Sequence, residues 1–139
     1  MEVLKPSETT ILLVEDEESV LKLASHVLEM RGYRVIASPH SEDALRTAAK
    51  TADPIHLLLT DVRMDPHMSG CKLAQSLRPS RPEMQVLYIS GFPASEIVKK
   101  EVELGTADLL KKPFTPTGLL EAVVKTLERA EVRSGRPGR

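Results

Sequence analysis

The chain has 139 residues, of which 41% are hydrophobic, as expected for one ordinary globular domain with its own core. Its 19 basic and 20 acidic side chains give a net charge of −1, which offers no electrostatic basis for direct binding to nucleic acid or to an anionic membrane. No stretch approaches the ~20 apolar residues of a membrane span. A single cysteine, Cys71, cannot form an internal disulfide, so we expect a cytoplasmic protein.

Strand-like and helix-like segments alternate along the chain. Short continuous apolar runs indicate strands buried on both faces, and apolar residues spaced by three or four indicate amphipathic helices. The sequence predicts strands at residues 10–15, 34–38, 55–60, 85–90 and 108–111, followed in turn by helices at 18–31, 41–50, 70–77, 94–104 and 116–132.

Five repeats of strand and helix predict a parallel sheet with helices on both faces and right-handed crossovers. We expect a flexible N-terminus at residues 1–8, one domain at 9–132 and a disordered tail at 133–139, which is rich in Gly, Pro and Arg. Ligands of such sheets bind beyond the carboxyl ends of the strands. The polar residues at those ends are therefore the candidates for function.

Two of the apolar runs stop at carboxylates. Glu15 and Asp16 follow the first run, and Asp61 follows the third. If these strands are parallel neighbours, the three carboxylates meet, and two like charges ~4 Å apart repel by roughly 4 kcal/mol at an effective dielectric of about 20. Proteins usually gather such a cluster to hold a divalent cation. The alternatives are interaction with the N-terminus of the next helix for Glu15 and Asp16, and a capping or loop position for Asp61.

Four segments at the ends of the first, third, fourth and fifth predicted strands together resemble the receiver domain of two-component response regulators. They are VEDE at 14–17, TDVRM at 60–64 with MSG at 68–70, ISG at 89–91, and KPF at 112–114. The resemblance covers residues 10–129. It implies a single doubly wound (βα)5 α/β domain, flavodoxin-like, with a parallel five-stranded sheet in the order 2-1-3-4-5.

The resemblance also implies a role for each matched polar residue. Asp61 would be the phosphoacceptor, and Ser90 and Lys112 would contact the phosphoryl group that it carries. The peptide bond between Lys112 and Pro113 would be cis. Mg²⁺, with Mn²⁺ as an alternative, would be held by Glu15, Asp16, Asp61 and the backbone carbonyl of Arg63.

A receiver of this kind takes its phosphoryl group from a histidine kinase or a histidine phosphotransfer protein. It would phosphorylate and dephosphorylate itself, without acting as an enzyme on a free substrate. Its output would be a downstream protein or self-association through the face of the fourth and fifth helices and the fifth strand. The segment VLYISGF at 86–92 resembles receivers attached to hybrid histidine kinases.

Two departures from the family pattern lead to an alternative. Asp65 lengthens the loop after Asp61 by one residue, and Leu109 stands where many members have an aromatic residue. Both favour a degenerate receiver that acts as a phosphorylation-independent interaction module. A hydrolase with an aspartyl-phosphate intermediate is a further alternative, although Arg63 stands where such enzymes commonly have a second carboxylate. His67, in the same loop, is a candidate to approach the metal, but the four histidines lack metal-ligand spacing.

Overall fold

In the computed structural model of the chain, the described residues are 4–64, 66–91 and 95–133, with side chains described as far as residue 129. Asp65, residues 1–3 of the predicted flexible N-terminus, residues 134–139 of the predicted tail and the predicted start of the fourth helix at Ala94 lie outside them. Within the described chain, five strands alternate with five helices: β1 (Thr10–Val14), α1 (Glu18–Met30), β2 (Arg34–Ser38), α2 (Ser41–Lys50), β3 (Leu57–Asp61), α3 (Gly70–Leu77), β4 (Gln85–Ser90), α4 (Glu96–Leu104), β5 (Asp108–Lys111) and α5 (Pro116–Arg133).

All five strands are parallel and lie in the order β2-β1-β3-β4-β5, which confirms the predicted topology. Every residue of β1, β3 and β4 is buried, whereas β5 is only partly covered. Strands that are buried on both faces do not need alternating polar and apolar residues, because helices cover both sides of a parallel sheet. This explains why their sequences are continuous apolar runs.

Two hydrophobic layers flank the sheet because successive strand side chains point to opposite faces. On one face, Leu12, Leu58 and Tyr88 pack with side chains of α2, α3 and α4. On the other face, residues of the same strands pack with side chains of α1 and α5, including Ala24, Leu28, Leu119 and Val123. Helices therefore cover both faces of the sheet whose carboxyl edge carries the candidate residues.

The third strand differs slightly from the prediction. It begins at Leu57 rather than at residue 55, and it includes Asp61, which pairs in register with Ile89 of β4. The Thr10 N–H donates to the His56 Nδ1 at 3.0 Å, so a side chain takes the place of the first backbone hydrogen bond between β1 and β3. The segment Pro6–Glu8 forms one 3-10 turn before β1. None of the helices that the structure describes is both long enough and apolar enough for a membrane crossing.

Candidate functional site

The carboxyl ends of β1 and β3 bring three carboxylates together. One oxygen from each of Glu15, Asp16 and Asp61 lies within 4.8 Å of the others. Glu15 is fully buried, Asp61 is 7% exposed and Asp16 faces solvent. Parallel pairing of Val14 with Thr60 aligns the two strand ends, which is why the residues that follow them meet. The predicted clustering is confirmed, while the role of each residue stays a prediction.

Lys112 is the cation of this cluster. Its Nζ lies 2.9 Å from Glu15 Oε1, 3.4 Å from Asp61 Oδ2 and 3.7 Å from Glu17 Oε1, and its side chain is 20% exposed. The backbone N–H of Lys112 donates to the Ser90 carbonyl at 2.8 Å, which ties the end of β5 to the end of β4. One lysine therefore faces three carboxylates and neutralises them only in part.

Burial dominates the electrostatics of the two inner carboxylates. It raises the pKa of Glu15 from 4.5 to about 7, with the Asp61 charge adding to the rise and Lys112 and the Glu17 N–H opposing it. Burial likewise raises the pKa of Asp61 against the pull of Lys112. For Lys112, burial lowers the pKa, but the Glu15 and Asp61 carboxylates outweigh burial and raise it. Full ionisation of the cluster is therefore unfavourable unless a further cation is supplied.

The donor set fits a hard divalent cation. Glu15 Oε2 accepts the Glu17 N–H at 3.0 Å, and the buried Oε1 lies 2.9 Å from Lys112 Nζ. Carboxylate oxygens from three residues within 4.8 Å of one another match the oxygen ligands that Mg²⁺ prefers. Arg63 stands two residues after Asp61 with its side chain exposed, in the loop expected to contribute its carbonyl.

The fourth and fifth strands place the remaining predicted residues at the same edge. Ser90, the last residue of β4, is 6% exposed and is the register partner of Lys111. The peptide bond between Lys112 and Pro113 is cis, as the resemblance implies. Gly91, next to Ser90, is exposed, and among the described residues a Cβ added there would meet the Lys112 side chain, at 3.7 and 3.8 Å. Gly91 therefore lies beside the lysine of the cluster.

The sequence pattern assigned no individual role to two residues that have a direct effect on the site, Gly70 and Glu17. A Cβ at Gly70 would lie 2.1 Å from the Asp61 carbonyl oxygen, and the Gly70 N–H donates to the Val62 carbonyl at 2.9 Å. A glycine at the first position of a helix, where other residues form helix more readily, was a signal of this close approach. Glu17, seen only as part of the acidic segment, contributes both its N–H and its carboxylate. The sequence carried no separate signal for Glu17.

The loop after β3 is fastened to α2 rather than to the carboxylates. His67 Nδ1 lies 3.1 Å from Glu42 Oε1, and the His67 ring stacks on His40 with centroids 3.8 Å apart. The Ser41 hydroxyl donates to the Met68 carbonyl at 2.7 Å, and the Met68 N–H donates to Glu42 Oε2 at 3.3 Å. His67 is not part of the carboxylate cluster among the described residues.

Comparison with known proteins agrees with this geometry. The family described as response regulator receiver domain matches residues 11–124. The alkaline phosphatase synthesis transcriptional regulatory protein PhoP of Bacillus subtilis (strain 168) is 33% identical over 122 residues, which are 88% of this chain and 50% of that protein. The response regulator receiver protein CpdR of Brucella abortus (strain 2308) is 31% identical over 117 residues, which are 84% of this chain and 95% of that protein.

Solved structures agree as well. The crystal structure of the receiver domain from the hybrid histidine kinase CckA has a TM-score of 0.71 and 33% sequence identity, and the match covers 85% of this chain and 98% of that one. The chain spans only about half, or less, of the length of the first curated relatives that it matches.

Proposed function

Because the chain belongs to the response regulator receiver domain family, we propose that it is a phosphoacceptor module of two-component signalling in which Asp61 receives a phosphoryl group in a Mg²⁺-dependent reaction. One observation carries the proposal: the Glu15, Asp16 and Asp61 carboxylates meet at the carboxyl edge of the sheet, with Lys112 Nζ 3.4 Å from Asp61. Like charges at such short range repel, so a cluster of this kind works against stability unless a cation binds to it.

Asp61 is the nucleophile of the proposed reaction. One of its carboxylate oxygens attacks the phosphorus of a phosphohistidine, the phosphorus–nitrogen bond breaks, and the imidazole leaves with the bonding electrons. The product is an acyl phosphate, which water hydrolyses to restore the carboxylate and release inorganic phosphate. Attack requires ionised Asp61, and Lys112 favours that form by opposing the rise in pKa caused by burial.

The surrounding residues stabilise charge. Glu15, Asp16, Asp61 and the Arg63 carbonyl are proposed to hold Mg²⁺ or Mn²⁺, which when bound neutralises charge on the phosphoryl oxygens. The phosphoryl group brings roughly −1.5 to −2 charge and three acceptor oxygens. Lys112 then pairs with one of those oxygens, and the Ser90 hydroxyl donates a hydrogen bond to another.

The proposed partners follow from the same chemistry. The donor is a histidine kinase or a histidine phosphotransfer protein, and the signal leaves through a downstream protein or a second copy at the face of α4, β5 and α5. Exposed Ile97 and Leu104 on α4 support that face as a contact surface. The single buried thiol, Cys71, supports a reducing cytoplasm, and the balanced charge supports protein rather than nucleic acid as the direct partner.

The test is the intact mass of the protein after incubation with acetyl phosphate, with and without Mg²⁺. We expect one added phosphoryl group that requires Mg²⁺ and is lost in Asp61→Asn. Asp53→Asn, at an exposed loop position, is the matched control and should label like the wild type. Labelling of Asp61→Asn at wild-type stoichiometry would exclude Asp61 as the acceptor.

The alternatives predict different results in the same experiment. A phosphorylation-independent interaction module, which Leu109 favours, gains no mass from acetyl phosphate and does not bind beryllofluoride in the presence of Mg²⁺. A hydrolase turns over a generic phosphomonoester such as p-nitrophenyl phosphate, whereas the proposed receiver does not. We therefore propose that the protein acts on its own Asp61 and not on free substrates.

A further inference from the structure

Among the described residues, helix α4 contacts the rest of the domain through one buried apolar residue and one ionic network. Val98 is its one buried residue. Ile97, Val102 and Leu104 are 54%, 37% and 68% exposed. Glu101, one turn after Val98, also faces inward, and its side chain is only 13% exposed. A helix with so few buried apolar contacts belongs to the part of a structure that opens at low cost.

The ionic network spans three elements. The Tyr88 hydroxyl of β4 lies 2.9 and 3.1 Å from the two carboxylate oxygens of Glu101. Arg78, at the end of α3, places Nη2 2.7 Å from Glu101 Oε1 and 3.2 Å from the Thr106 carbonyl. The Thr106 N–H and hydroxyl both donate to the Glu101 carbonyl, at 2.9 and 3.2 Å. The C-terminal end of α4 is therefore tied at once to the sheet and to α3.

Such a network holds as a unit. Tyr88 is fully buried, and burial together with the neighbouring Cys71 and Glu101 raises its pKa far above the ordinary value, so its hydroxyl remains a donor. If the hydroxyl is removed, the Glu101 carboxylate keeps its burial but loses a partner, and an unsatisfied buried acceptor is more costly than the bond itself is worth. Loss of one contact therefore favours outward movement of Glu101 together with α4.

The network begins two residues from the functional site. Tyr88 and Ser90 lie on β4, and alternate residues of a strand point to the same face. Tyr88 is also the register partner of Leu109, the β5 position where the chain lacks an aromatic residue. One buried strand thus carries both the Ser90 hydroxyl and the hydroxyl that binds α4.

We propose that the Tyr88–Glu101–Arg78 network is a tether that keeps α4 docked in the unphosphorylated domain, and that movement of the Ser90 end of β4 toward a phosphorylated Asp61 weakens it. The docking role stands on the contacts alone. The release step rests on the proposed phosphoacceptor function.

The tether is tested by amide hydrogen exchange of peptides covering residues 96–104, without metal or phosphodonor. Tyr88→Phe removes only the hydroxyl, and its control is Tyr33→Phe, a buried tyrosine in the other hydrophobic layer. Glu101→Gln removes the charge, and its control is Glu96→Gln, whose partner Lys99 lies 3.7 Å away on the exposed face of the same helix. We expect exchange in α4 to rise about tenfold or more in both test variants, because hydrogen bonds to charged groups are the stronger ones, and to stay within about twofold in both controls.

Two results would overturn the tether. One is exchange in α4 equal to that of the matched controls. The other is a uniform rise across α1, α4 and α5, which would mean that the hydroxyl stabilises the whole domain.

Release is tested by adding Mg²⁺ and beryllofluoride. Hydrogen exchange in α4 should rise in the wild type. It should rise by a smaller factor in Tyr88→Phe, because α4 is already less firmly docked in that variant before the addition. An equal factor in both proteins would overturn the release step. If acetyl phosphate adds no mass to the wild type, the proposed function fails, and the donor-free comparison still decides the tether.

Discussion

Replacing Gly70 by alanine tests how closely the start of α3 packs against the backbone at the end of β3. The new Cβ would stand 2.1 Å from the Asp61 carbonyl oxygen, and that separation must open to at least 3.0 Å. The atom in the way belongs to the backbone of a fully buried strand, so both α3 and the end of β3 must shift. Overpacking of this kind costs about 1–3 kcal/mol, and we expect the upper end because no flexible side chain can yield.

Alanine also favours helix over glycine by about 0.5–1 kcal/mol, so the net loss expected for Gly70→Ala is about 2 kcal/mol. For a domain of this size, that loss lowers Tm by roughly 8 °C. Gly118→Ala is the matched control, because Gly118 also lies in the first turn of a helix but, among the described residues, its Cβ would meet a side-chain atom, the Thr115 Oγ1, at 3.1 Å.

The assay is urea and thermal denaturation followed by circular dichroism in the absence of Mg²⁺, on the wild type and both variants. Gly118→Ala should lose less stability than Gly70→Ala, because its close neighbour is a side-chain oxygen that needs to shift by only a few tenths of an ångström. Acetyl phosphate should label Gly70→Ala more slowly than the wild type, since the carboxylate of Asp61 moves with its backbone. If Gly70→Ala proves as stable as Gly118→Ala, the close approach to Asp61 is refuted.

Four further predictions concern charge. Because the pKa of Glu15 is about 7, protons compete with Mg²⁺ for its carboxylate. The Mg²⁺ affinity measured by calorimetry should therefore fall roughly tenfold between pH 8 and pH 6. The same dependence of affinity on pH in Glu15→Gln would contradict this. Without metal, this raised pKa contributes stability below pH 4.5 that is lost as the pH rises through about 7, so the free energy of unfolding of Glu15→Gln should depend less on pH in that window. Burial lowers the pKa of His56 from 6.5, and its Nδ1 must stay unprotonated to accept the Thr10 N–H. The stability that His56 contributes is therefore present above pH 6.5 and is lost as the pH falls through its lowered pKa. In acid denaturation, His56→Gln should not show this loss. Lys112→Ala should weaken Mg²⁺ binding less than Asp16→Ala does, because only Asp16 is a predicted ligand; equal losses would contradict that division of roles.

The fold was largely predictable from local patterns. The apolar runs of β1, β3 and β4 are each buried on both faces, so the run itself identifies the strand and its end. The resemblance supplied the strand order, and parallel order then placed Glu15, Asp16 and Asp61 at one edge. The start of β3 was misjudged by two residues because the His56 side chain, contributed from far along the sequence, takes the Thr10 N–H.

The contacts that were missed depend on how helices rotate and dock against the sheet. Gly70 meets the Asp61 carbonyl only because α3 begins directly over the end of β3. The Tyr88 hydroxyl contacts Glu101 only because the orientation of α4 directs that side chain inward. From the sequence alone, a glutamate in an amphipathic helix is expected to face solvent. These partners are far apart in sequence, so periodicity and spacing carry no information about them.

The candidate site takes its residues from the ends of four strands, which run from β1 near the start of the domain to β5 near its end. Pairing of parallel strands is non-local, and such contacts form late and slowly during folding. A fragment that lacks the first third of the domain therefore has no Glu15 or Asp16, and one that lacks the last third has no Lys112. A cation that binds only the assembled site stabilises the native state by mass action, so a magnesium titration of the unfolding midpoint would also report how completely the whole chain has folded.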